Sequence, residues 1–140
     1  MPPSPRLCFS PASLSGPLVL ALALLSPIAG ASAQTAAPIT ITLTDYAFSP
    51  ASFDLNAGTT YQLHFVNNGS KGHNFSAPEF FAASQIAPED MARVKDGSVE
   101  LANDQSADIA VTPVRVGTYA FVCTHFMHKM MGMHGEITVQ

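Results

Sequence analysis

Residues 117–140 read GTYAFVCTHFMHKMMGMHGEITVQ. Tyr119, Phe121 and Cys123 recur with a period of two, and Ile137 and Val139 resume that period after Gly135. The spacing predicts two short strands, 117–123 and 135–139, joined by a loop that carries His128 and Met133. The same period runs upstream. Ile39, Ile41 and Leu43 alternate with threonines, and Phe53 and Leu55 precede a turn at Asn56-Ala57-Gly58. Tyr61, Leu63 and Phe65 lead into Asn67-Asn68-Gly69, and Val99 with Leu101 and Ile109 with Val111 supply two more runs. Seven short strands without a long helix predict an all-β fold, a β-sandwich. Residues 78 to 95 break the pattern. Pro78 and Pro88 each stand at a plausible first helical position with acids following, which predicts one or two short inserted helices ended by Gly97.

The N-terminus reads as an export signal. Residues 1–33 hold one charge, Arg6, then an apolar run over 18–25, and close on Ala31-Ser32-Ala33. Eight apolar residues are far fewer than the roughly 20 that cross a bilayer as a helix, so the segment reads as cleaved after Ala33. The expected mature chain, 34–140, is one domain of about a hundred residues, and an extracytoplasmic, periplasmic location follows. It keeps five Lys and Arg against ten Asp and Glu, a formal charge of −5. An acidic surface argues against a nucleic-acid partner. No mature segment is long and apolar enough to span a membrane. Trimming also removes Cys8, so Cys123 is left as a lone thiol, a liability in an oxidising compartment unless it is buried or bound to metal.

Cys123, His128 and Met133 stand at even five-residue steps, and a second imidazole waits upstream at His73. Thiolate, imidazole and thioether are the donors that together suit copper in both oxidation states. Three of them on one loop tethered by neighbouring strands need little further ordering to converge. Each alone has a plainer reading: a small buried hydrophobe for Cys123, a loop residue for His73, packing or exposed surface for Met127, Met130 and Met131. His64 reads as an ordinary exterior residue of its strand. His125, two positions after Cys123, competes with His128 for the metal, although the five-step spacing favours His128.

His73-Asn74 upstream, then Cys123, four residues, His128, four residues, Met133 and the strand Gly135-x-Ile137-x-Val139 resemble the cupredoxins, the small blue copper proteins. The spacing is most like that of the auracyanin and rusticyanin-like branch, and the resemblance covers essentially all of the expected mature chain. It implies a Greek-key β-sandwich with one type 1 copper ion at one end. His73, Cys123 and His128 would then be the strong ligands and Met133 the weak axial one, with Met131 the first substitute. Asn74 and Thr124 would tie the two ligand loops together by hydrogen bonds. Relatives usually carry Pro-Gly immediately before the second histidine, whereas this chain has Phe126-Met127 and adds His125 and His134.

One-electron transfer is the function that the resemblance implies, with a redox protein such as a cytochrome or a copper enzyme as partner and the chain acting as a monomer. His128, flanked by Phe126, Met127, Met130 and Met131, suits the electron port. Copper handling, as chaperone or resistance factor, is the competing reading, motivated by the surplus of soft donors at His125, Met127, Met130, Met131 and His134. An enzyme is not expected. Related copper enzymes build further sites between domains, and no nucleophilic triad or carboxylate pair stands out.

Overall fold

The computed structural model describes residues 38–140. The expected signal over residues 1–33, and the first four residues of the expected mature chain, lie outside them. The described residues form ten strands in two five-stranded sheets. In chain order the strands are β1 (Ile39–Thr44), β2 (Ala47–Ser49), β3 (Ser52–Leu55), β4 (Tyr61–Asn67) and β5 (His73–Ser76). They continue with β6 (Ser84–Ile86), β7 (Ser98–Leu101), β8 (Ser106–Pro113), β9 (Gly117–Val122) and β10 (His134–Val139). One sheet has the order β2-β1-β4-β8-β6 and the other β3-β10-β9-β5-β7. The chain passes repeatedly from one sheet to the other. Only β1 with β4 and β3 with β10 run parallel; the remaining pairs are antiparallel.

Alternation in sequence becomes alternation in burial. Along β4, Tyr61, Leu63, Phe65 and Asn67 face inward while Gln62, His64 and Val66 are half-exposed. Ile109 and Val111 of β8 lie opposite Leu63 and Tyr61 on that inner face. His64 sits on the outer face, where it pairs at 2.7 Å with Asp108, its partner across the ladder. The inner faces of both sheets share one apolar core. At its centre Phe75 stacks on Phe121 with ring centroids 4.7 Å apart, and Phe65 lies 4.7 Å from Phe75 on the opposite sheet. Each fully buried ring of this kind contributes about 1.5–3 kcal/mol relative to its exposed state.

The all-β sandwich agrees with the sequence reading, but the strand count is ten rather than seven. The three added strands are short. β2 and β6 are three-residue pieces at the two edges of their sheet, and β5 reads HNFS, too polar for alternation to reveal it. The insertion holds one α-helix, α1 (Pro78–Ala82), with Pro78 in its first turn and Glu79 placed to favour the positive end of the helix. Pro88 begins no helix; it lies in a turn, and a single 3₁₀ turn follows at Met91–Arg93. Asp90 explains the local choice: its carboxylate accepts the backbone N–H of Ala110 at 2.9 Å and ties the segment to β8. Gly97 closes the insertion with φ of +70°, packed against Pro78 where a Cβ would clash. Among the described residues no helix is long and apolar enough to cross a membrane.

Candidate metal centre

His73 is the first residue of β5, not part of a free loop as the sequence reading placed it. Its neighbours fix it: His73 lies opposite Leu101 and Asn74 opposite Glu100 in the β5–β7 ladder. Cys123 follows directly on β9, which pairs with β10 along its whole length. The two strands hold the ends of the loop 123–133, and the loop folds on itself between them. The N–H of Cys123 donates to the carbonyl of Met133 (3.1 Å), and the N–H of Met133 donates to the carbonyl of His128 (3.0 Å). The three residues at five-residue steps are therefore bonded to one another through the backbone before any ligand is considered.

The side chains of His73, Cys123 and His128 converge. His73 Nδ1 is 3.1 Å from His128 Nδ1, and Cys123 Sγ is 3.4 Å from His128 Nδ1 and 4.0 Å from His73 Nδ1. A point equidistant from the three atoms lies about 2 Å from each, the length of a metal–imidazole bond. Cys123, His73 and Met133 are fully buried, and His128 retains 9% of its surface. Burial first, and then the neighbouring His73 and His125, hold the pKa of His128 below the usual histidine value. Both factors disfavour the imidazolium, so the ring is neutral and available as a donor at neutral pH. One buried soft thiol and two imidazoles, with a buried thioether on the same loop, form a donor set that fits copper.

Asn74 and Thr124 meet as the resemblance implied. The Asn74 amide donates to Thr124 Oγ1 (2.8 Å) and the Thr124 N–H donates to Asn74 Oδ1 (2.8 Å). This two-bond bridge joins the residue after His73 to the residue after Cys123. His125 stacks on His128 with centroids 5.7 Å apart, but its Nε2 is engaged by Glu100 Oε1 at 2.7 Å, and it lies outside the convergent trio. Met131, the alternative to Met133, is exposed on the outer turn, and His134 is exposed at the start of β10.

Met127 has φ of +67°, a left-handed conformation that costs a side-chain-bearing residue about 1–2 kcal/mol. It occupies the position where relatives were expected to carry glycine. The loop thus follows the path glycine favours, with methionine bearing the strain. Met127→Gly is expected to stabilise the protein by about 1 kcal/mol in urea unfolding, the relief of strain exceeding the added chain entropy. A destabilised variant would show that the Met127 side chain contributes more through contacts than it costs in backbone strain.

The sequence reading missed the supports behind His73. Asp45, in the turn between β1 and β2, accepts a hydrogen bond from His73 Nε2 at 3.1 Å. Buried Asn67 receives the N–H of Gly69 (2.9 Å), and its amide reaches the carbonyls of Lys71, Leu101 and Ala102 at 2.8–3.1 Å. Asn67-Asn68-Gly69 announced a turn and nothing more. Asp45 carried no signal at all, because only the fold brings it within reach of residue 73.

Residues 16–139 match the sequence profile of the cupredoxin-like domain. No curated protein sequence matches the chain. Among solved structures, the fold is similar to that of dithionite-reduced auracyanin from the photosynthetic bacterium Roseiflexus castenholzii, at 22% identity over 76% of this chain and 99% of that one (TM-score 0.55). It is similar also to auracyanin B, at 21% identity over 78% and 91% (TM-score 0.56). A third is auracyanin A, a "blue" copper protein from the green thermophilic photosynthetic bacterium Chloroflexus aurantiacus, at 22% identity over 74% and 100% (TM-score 0.50). At these identities the likeness is one of fold. The profile match spans both the sandwich and the loop where thiol and imidazoles meet, and on that ground the chain belongs to the cupredoxin-like family.

Proposed function

We propose that the protein is an exported, periplasmic type 1 copper protein that carries single electrons between redox partners. The observation that supports this most directly is the buried triangle formed by Cys123 Sγ, His73 Nδ1 and His128 Nδ1, with sides of 3.1 to 4.0 Å. When bound, copper supplies a one-electron couple between Cu(I) and Cu(II). The remaining tasks fall to the chain. Cys123 and the two imidazoles are held by the β5–β7 and β9–β10 ladders and by the loop's own backbone hydrogen bonds, so little rearrangement would accompany a change of charge at their common point. Buried Met133 would supply a weaker thioether donor from the same loop. The core beneath, with Phe75 and Phe121 two residues from His73 and Cys123, keeps water from the thiolate side.

His128 is the one ligand candidate with an edge toward solvent. Its ring meets Tyr46 edge-on at 5.3 Å, and the residues that flank it in the chain, Phe126 (90% exposed), Met127, Met130 (81% exposed) and Met131, are exposed. An apolar rim of this kind lets a redox protein approach closely without displacing bound water from charges. A cytochrome or a copper enzyme would satisfy that description, and a monomeric carrier leaves the rim free for it.

Spectroscopy of the copper-loaded mature chain tests the proposal. The oxidised protein is expected to be intensely blue, with the narrow copper hyperfine splitting of a thiolate-bound centre and one copper ion per chain. A colourless protein that takes up only Cu(I) would exclude electron carriage. Tight binding of more than one ion would move the assignment to copper handling through the exposed methionines.

A further inference from the structure

Asp45 stands behind the first histidine in an arrangement that the fold builds from four separate segments. Its Oδ1 accepts from His73 Nε2 at 3.1 Å. Ser70 holds the carboxylate from the other side, its Oγ donating to Oδ2 (2.7 Å) and its N–H to Oδ1 (3.0 Å). The hydrogen bonds from Ser70 and then His73 keep the Asp45 carboxyl below the usual carboxylate range. Gly69 makes the contact possible, since a Cβ there would fall on His73 Nε2 and lie 2.8 Å from Asp45 Oδ1. Asn103 in turn donates to the Gly69 carbonyl (2.6 Å), and Asn67 accepts the Gly69 N–H (2.9 Å).

A neutral imidazole carries one proton on one of its two nitrogens, and a carboxylate at Nε2 selects which. With the proton on Nε2, His73 Nδ1 presents a bare lone pair toward Cys123 and His128. The carboxylate also adds a full negative charge one ring away from the donor atom, which favours the more highly charged state of a bound cation. His128 has no such help: among the described residues no carboxylate pairs with it. We propose that Asp45 is a positioning residue that fixes the Nε2-protonated tautomer of His73 and, through its charge, lowers the reduction potential of the centre. The second half rests on the copper reading above; the first does not. Asp45 is 41% exposed, so water screens part of its charge. The expected effect of the charge is about tenfold in the ratio of Cu(II) to Cu(I) affinity, or about 59 mV for one electron.

Two measurements on Asp45→Asn and Asp45→Ala decide the matter. Nitrogen-15 spectra of histidine-labelled, metal-free protein at mildly alkaline pH are expected to show His73 as a single Nε2-protonated tautomer in the parent chain. The asparagine variant keeps an oxygen acceptor and should retain that tautomer, whereas the alanine variant should show a mixture. A redox titration of the copper-loaded asparagine variant against a mediator of known potential should give the tenfold fall in affinity ratio. An unchanged tautomer in the alanine variant would overturn the positioning role, and a shift under about threefold in the asparagine variant would overturn the electrostatic one. If the parent chain forms no blue centre, the copper reading fails on its own, and the metal-free spectra alone decide the role of Asp45.

Discussion

Cys123→Ser is expected to abolish the blue colour of the copper-loaded protein and to weaken Cu(II) binding by more than the roughly 10–100-fold typical of changes to groups that merely support a ligand. Intense colour in a copper protein comes from a covalent bond to a thiolate, and a serine hydroxyl at neutral pH is neither ionised nor soft. The substitution is nearly isosteric, so the sandwich persists. Cys123 Sγ lies 3.4 Å from His128 Nδ1, and a hydroxyl in its place would find that nitrogen as a hydrogen-bond partner. Unfolding of the metal-free variant in urea should accordingly change by no more than about 1–2 kcal/mol. The pairing of a large spectroscopic effect with a small structural one is the signature of a ligand. Retained colour would remove Cys123 from the site, whereas a large loss of metal-free stability would mark it as a packing residue, the plainer reading of a buried thiol.

The parts of this protein that could be read from the chain are those in which one strand or one loop contains its own information. Alternation placed β4, β8, β9 and β10 because each has one face in the core and one outside, and the five-residue steps of Cys123, His128 and Met133 described a loop closed by its own backbone hydrogen bonds. What stayed hidden depends on segments distant in sequence. β5 is four residues long and half polar, and it is a strand because β7 and β9 pair with it. Glu100 occupies His125, and Asp45 occupies His73 Nε2, through contacts across 25 and 28 residues. The choice between His125 and His128 turned on the same kind of contact. Spacing favoured His128, and only the fold shows that its Nδ1, and no nitrogen of His125, converges with His73 Nδ1 and Cys123 Sγ. The export signal rests on sequence alone.

Phe75→Ala tests whether the core holds the ligands as well as the fold. Phe75 is fully buried on β5, two residues after His73, so both side chains leave the same face of the strand. Phe121 stands in the matching position on β9, two residues before Cys123, and the two rings stack at 4.7 Å. Phe65, Phe48 and Phe81 close around Phe75 at 4.7, 5.9 and 6.2 Å. With neighbours anchored in both sheets, the cavity left by truncation has little means of collapsing, and the expected loss is about 3–5 kcal/mol in urea unfolding of the metal-free protein. Phe53→Ala is the control. Phe53 is only partly buried on β3, two strands from β9 at the edge of its sheet, where its ring meets Phe121 at 5.9 Å, and it should cost clearly less. Two variants that differ in this way separate packing from geometry. If the stack of Phe75 on Phe121 positions β5 against β9, Phe75→Ala should also broaden the optical band of the copper-loaded protein, because the distance between His73 and the thiolate is no longer held to one value. A variant that loses the stability but keeps a sharp band would show that the Asn74–Thr124 bridge alone sets the spacing of the two ligand strands.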